Sequence, residues 1–173
     1  MNQDHTLHNL MLDEIRDLYD AEKQLVKALP KMAEKASSSG LRQAIEKHLG
    51  ETQGHVQRLE EVFGMLGEKA KGKHCAGIAG IIDEGSDILG SDYEGVVKDA
   101  GIIAGAQRAE HYEIAAYGNV IAWAKTMGHE QLASLLHETL QEEKAANDKL
   151  TALGEGGINQ EASAGAMSGG SMA

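Results

Sequence analysis

Apolar residues recur at steps of three and four along four long segments, and each run ends in small or polar residues. The first spans roughly residues 6–36, where Leu7, Leu10, Met11, Ile15, Leu18, Leu25, Leu29 and Met32 form one helical stripe. Thr6 is placed to cap its start. Pro30 lacks a backbone donor and predicts a kink or an early end. Ser37-Ser38-Ser39-Gly40 then breaks the pattern. The second segment, 41–66, puts Leu41, Ile45, His48, Thr52, His55, Leu59, Val62 and Leu66 on one seam, and Gly67 stops it. A short loop between two such helices makes an antiparallel hairpin.

From Gly67 to Gly95 the chain turns rich in glycine and charge, with one stretch, 76–89, patterned as a short helix. This length suits a crossover from one hairpin to the next. Ser91 and Glu94 have the spacing of a capping box for the third long helix. That helix runs to about Met127 through Val96, Ile103, Ile114, Tyr117 and Ile121, and Gly128 closes it. The fourth, about 130–153, carries Leu132, Leu136, Thr139, Glu143, Ala146, Leu150 and Leu153. Residues 1–153 therefore read as one all-α domain, a four-helix bundle of two hairpins joined by a long crossover. Residues 154–173 are mostly small, and the expectation for them is disorder.

Composition agrees. In 173 residues the hydrophobic share is 42% but aromatics are 3% and proline occurs once, which favours helices packed through Leu, Ala, Ile and Met. A formal net charge of −11 argues against nucleic acid and against an anionic membrane as partners. The single cysteine, Cys75, makes no internal disulfide and no Cys-rich zinc site, and reads as a small buried residue. No apolar run is long enough for a bilayer, and the first residues lack the pattern of a secretory signal. The default expectation is a cytoplasmic protein.

Against this background the glutamates stand out. Glu22 and Glu51 lie 29 residues apart, as do Glu113 and Glu142. Glu22 sits four after Leu18 and three before Leu25, where leucines point. Glu51 lies between His48 and His55 at the edge of the second seam. Glu110 and Glu113 are one turn apart on the third helix, and Glu142 and Glu143 both lie near the fourth seam. Most helical glutamates are solvated, as Glu60, Glu61 and Glu68 are expected to be. One on each of four inward stripes is a different pattern, because an unpaired buried carboxylate is costly. Carboxylates from four helices, with histidine as a further ligand, are the usual cage for two divalent ions. His48 or His55 would supply the imidazole. His111 reads as a surface residue, and Tyr19, Tyr112 and Tyr117 as core packing in preference to redox partners of the cluster.

The stretches LYDAEKQLVKALPKMA, HLGETQGHVQRLEEVF, KDAGIIAGAQRAEHYEIAAYG and LLHETLQEEKAANDKLTAL resemble the YciE/YciF family of bacterial stress-induced proteins. AQRAEHYEIAAYG, residues 106–118, is the most distinctive match. The resemblance implies a ferritin-like bundle, usually dimeric, with a di-metal carboxylate site of iron or manganese. Carried over, Glu22, His48, Glu51, Glu110, Glu113, Glu142 and Glu143 match the family's acidic and histidine positions. The broader superfamily's Glu-x-x-His motif would need histidine at 54 and 145, where this chain has Gly54 and Ala145. Asn147 likewise stands where an acidic residue is expected.

The leading expectation is a redox-active di-iron or di-manganese protein handling peroxide, oxygen or ferrous iron. Its ions would be bridged by Glu51 and Glu142 or by Glu113. A metal-free helical scaffold and an iron-storage cage are the alternatives.

Overall fold

The computed structural model describes residues 6–168. Five long or medium helices follow in chain order: α1 (Leu7–Lys35), α2 (Ser39–Met65), α3 (Ala76–Gly90), α4 (Gly95–Thr126) and α5 (Glu130–Leu153). Among the described residues there is no strand. The Thr6 hydroxyl accepts from the Asn9 amide at 3.1 Å, which is the expected cap of α1. Pro30 does not end that helix. It is exposed near the last turns, so the carbonyl left without a donor at Val26 can turn to water, and α1 runs on to Lys35.

The other boundaries have equally local causes. Ser38 caps α2 by accepting from the Leu41 amide. Gly67 and Gly128 take positive φ of 69° and 80°, and each closes a six-to-one bond, Glu68 to Phe63 and His129 to Ala124. The expected Ser91–Glu94 capping box does not form. Glu94 is the N-cap of α4 without a side-chain bond, and the Ser91 hydroxyl instead donates to the Ile88 carbonyl at 2.7 Å, finishing α3. The local need of α3 for a terminal partner wins over a motif defined by spacing alone.

α1 packs on α2 and α4, and α5 packs on α4 and α2, so two hairpins form the bundle. α3 lies across α4 and α1. It sits close: a methyl at Gly77 would come within 2.5 Å of the Tyr112 ring, and one at Gly101 within 2.7 Å of Ile88. The chain after α5 departs from the expected disorder. A π-turn at Gly154–Ile158 leads into α6 (Asn159–Ser168), which packs on α4. Ile158, buried in the core, anchors a segment whose small residues gave no apolar signal. Residues 169–173 of that segment lie outside the described residues.

The interior is layered. One apolar cluster gathers Met11 to Tyr19, Leu59 to Phe63, Ala116 to Ala124 and Leu132 to Leu140. A second gathers Ala21 to Ala36, Leu41, Ile45, Ile102 to Ala109, Leu150 and Ile158. On all four bundle helices the polar buried residues other than Asp99 fall between these clusters. Elsewhere the fold shows how it satisfies a buried carboxylate. Asp99, fully buried, accepts from the Ser37 amide (2.8 Å), the Ser37 hydroxyl (2.6 Å) and the Ser38 amide (2.8 Å). It thereby pins the α1–α2 loop to the start of α4.

A candidate metal centre in the polar layer

The layer between the two apolar clusters contains Glu22 of α1, His48, Thr52 and His55 of α2, Glu110 and Glu113 of α4, and Thr139 and Glu143 of α5. Helical period explains the set. His48, Thr52 and His55 lie on the seam that carries Ile45 and Leu59, and Glu143 follows Leu136 and Leu140. Both histidines face inward, so α2 supplies two imidazoles rather than one. Of the adjacent pair on α5, Glu143 is the inward residue and Glu142 is one-third exposed.

Two groups of donor atoms result. His48, Glu110, Glu113 and Glu143 bring one atom each within 4.8 Å of one another, as do Glu22, His55 and Glu143. Glu143 belongs to both groups. His48 Nε2 lies 3.2 Å from Glu110 and 3.6 Å from Glu143. His55 Nδ1 lies 3.0 Å from Glu143 and 3.3 Å from Glu22. These His55 separations are short, yet they are poorly aligned for hydrogen bonds, and Nδ1 has no hydrogen-bond partner. They are charge contacts rather than directed bonds.

Six buried carboxylate oxygens have no donor: Glu22 Oε2, Glu110 Oε2, both oxygens of Glu113 and both of Glu143. The contrast with Asp99 is direct. Where this fold intends a buried carboxylate to be structural, it supplies backbone amides and a hydroxyl. Here it brings carboxylate oxygens and imidazole nitrogens together and gives six of the oxygens no donor. Such a set, with hard oxygens and borderline nitrogens, could hold a metal ion.

Glu51 and Glu142, expected as bridging residues, stand outside both groups. Each is one residue off its seam, about 100° around the helix. Glu51 pairs with Lys47 and lies 3.4 Å from His48 Nδ1. Glu142 is held by Arg58 at 2.5 Å and meets His55 Nε2 at 2.8 Å. Each histidine thus turns one nitrogen to an edge carboxylate and the other to the centre, the arrangement that fixes ring orientation in metal sites. Sequence reasoning missed Arg58, because a cross-helix partner leaves no signal in spacing along one helix. It also favoured core packing for Tyr117 over a partner role beside the cluster. The Tyr117 hydroxyl donates to Glu22 Oε1 at 2.5 Å.

Electrostatics follow from this layout. Burial, then the neighbouring Glu143 charge, pushes Glu110 up to about 11. Burial and the Glu22 and Glu143 charges raise Glu113 well above the carboxylate range. Glu22 is raised by burial despite the opposing pull of His55. Burial works against a charged His55, but the Glu143 and Glu22 carboxylates beside it raise it to about 11. Glu51 goes the other way, down to about 2, chiefly through His48 and despite its partial burial.

These shifts set a pH dependence. Raised groups hold protons in the folded state that the unfolded chain has released, so their contribution is complete at low pH and is lost as pH rises. For Glu110 the window opens at the ordinary 4.5 and extends to about 11. The metal-free protein is therefore expected to lose stability steadily between about pH 5 and about pH 9. Denaturant midpoints in chelator across that range check this. A flat or rising profile would contradict it.

Comparison with known proteins agrees with this architecture. A family described as a domain of unknown function, DUF892, matches residues 6–163. The chain belongs to the DUF892 family. Within it, the chain is 40% identical over 158 residues to protein YciF of Escherichia coli strain K12, covering 91% of this chain and 95% of that protein. The crystal structure of the E. coli stress protein YciF superposes with a TM-score of 0.86, covering 90% of this chain and 98% of that one. YcfI of Rhodopseudomonas palustris, provisionally described as a structural protein, is 46% identical with a TM-score of 0.84, covering 87% of this chain and 96% of that one. The expected resemblance and the helical bundle are thus shown. Among the described residues no helix is long and apolar enough to cross a membrane.

Proposed function

We propose that this protein binds two divalent metal ions, iron or manganese, in the polar layer, and uses them in handling a small oxidant or ferrous iron under stress. The observation that carries the reading is the six donorless carboxylate oxygens in a water-poor centre. Uncompensated, such groups cost several kcal/mol each, on the order of the whole stability of a domain. Bound cations repay that cost. When bound, two such ions would supply paired one-electron redox capacity and Lewis acidity toward a small ligand.

The chain's own residues do the remaining work. Glu143 joins the two groups. Glu51 and Glu142 hold the two imidazoles in register from the outside, and Lys47 and Arg58 hold those carboxylates in turn. Tyr117 holds Glu22 through its hydroxyl and supplies a proton at that oxygen. The two apolar clusters exclude water from above and below. A stress role is carried by the relative described as a stress protein.

Elemental analysis of protein purified without chelator is expected to find about two ions per chain. Adding Fe(II) or Mn(II) to the stripped protein should stabilise it by a few kcal/mol at saturation. No bound metal and an unchanged melting temperature would replace this reading with that of a metal-free scaffold. Sedimentation separates the homodimer that the resemblance implies from a storage shell.

A further inference from the structure

A second feature opens on the same layer from the side. Between α1, α3 and α4 lies a cavity of about 260 Å³. Leu25 and Leu29 of α1, Ile82 and Leu89 of α3, and Ala106 and Ala109 of α4 form its walls. Its two polar wall residues are already engaged: Gln24 donates to Asp20 and to the Cys75 carbonyl, and Ser86 to the Ile82 carbonyl. The walls therefore offer a ligand almost no hydrogen bonding. His48 and Glu110, both buried, line the inner end, and Glu110 Oε2 has no donor. Lys27 and Lys31, one turn apart on α1 and both exposed, line the outer edge. Neither makes an ion pair among the described residues.

We propose that this cavity binds an unbranched aliphatic chain of medium length with an anionic head, the head on Lys27 and Lys31 and the tail end at His48 and Glu110. Size selects the length. The volume exceeds the roughly 150 Å³ that holds a benzene ring, and falls just short of the ~300 Å³ where pockets for drug-sized ligands begin. Chemistry selects the class, since aliphatic walls with spent polar groups reward hydrocarbon alone. Charge selects the orientation. In a chain of net charge −11, two unpaired lysines at one rim attract an anion, while the buried inner end would strip a charged head of its hydration. The inference deepens the metal reading by naming its substrate class, and rests on that reading only for what the tail end meets. Binding itself requires only the cavity.

The test is calorimetric titration of the full chain with decanoate, in metal-free and metal-loaded forms, beside the cationic decyltrimethylammonium. One saturable decanoate site is expected. Filling the cavity by Ala28→Phe should weaken it at least tenfold. Gly85→Leu is a second filling variant, because a Cβ at Gly85 meets nothing within 4 Å and should not disturb the helix. Lys27→Glu with Lys31→Glu should weaken decanoate at least tenfold while leaving the cation unaffected or tighter. The proposal is overturned if wild-type protein shows no saturable site, or if both filling variants, folded by circular dichroism, bind decanoate undiminished. It is also overturned if sedimentation shows that a second copy covers this face and that Ala28→Phe only releases it. Decanoate binding by a chain that takes up no Fe(II) or Mn(II) would uphold the cavity and reject the metal reading. Two ions per chain without decanoate binding would do the reverse.

Discussion

Replacing Glu143 by alanine is expected to remove both proposed metal positions, whereas replacing Glu22 removes one. The difference follows from position: Glu143 is the only residue common to the two donor groups, while Glu22 belongs to the group with His55 alone. Loss of a shared charged ligand should weaken both ions at least about a hundredfold, beyond the 10–100-fold typical of outer partners. Glu22→Ala should leave the His48, Glu110, Glu113 and Glu143 group able to hold one ion. Metal content after gel filtration, measured side by side for the two variants, checks the prediction. One ion retained per chain by Glu143→Ala would show that the two positions do not share it.

The second large effect runs in opposite directions with and without metal. Glu113 is fully buried, and neither of its oxygens has a donor. Exchanging it for leucine removes an unsatisfied polar group from the interior and adds hydrocarbon next to Tyr117 and Ala116. In chelator the variant is expected to be more stable than the wild type by about 1–4 kcal/mol. At about 2–4 °C per kcal/mol for a chain this size, that is roughly 2–16 °C in melting temperature. With Fe(II) or Mn(II) the order should invert, because the variant lacks a ligand that the wild type uses. A metal-free variant less stable than wild type would mean that Glu113 has a structural partner and would remove the functional explanation for its burial.

How much of this was legible in the sequence depends on whether the information lay along one helix. Glu22, His48, His55, Glu110 and Glu143 sit on leucine-bearing stripes, and the structure buries all five. The repeated 29-residue interval was informative in a different way from the one first expected. It pairs one buried glutamate with one edge glutamate in each half: Glu22 with Glu51, and Glu113 with Glu142. The half-buried members sit a single position off the seam, and so pair with Lys47 and Arg58 rather than reach the centre. Spacing placed a glutamate on or beside each stripe but did not fix the rotation of each helix. Register between helices, which brings Arg58 to Glu142 and Tyr117 to Glu22, is set by packing across the bundle and has no one-dimensional signature. The segment after Leu153 failed for another reason. Its composition is that of an unstructured chain, yet one buried isoleucine is enough to dock it when a helix surface is waiting.

The tight seating of α3 on Gly77 and Gly101 fixes how high that helix rides over the bundle, since any side chain at either position would meet Tyr112 or Ile88. The clearance beneath it is therefore a property of the backbone. Relatives that share those two glycines could change what they admit only by trimming or lengthening the wall residues, much as marks are moved on a ruler whose length is constant.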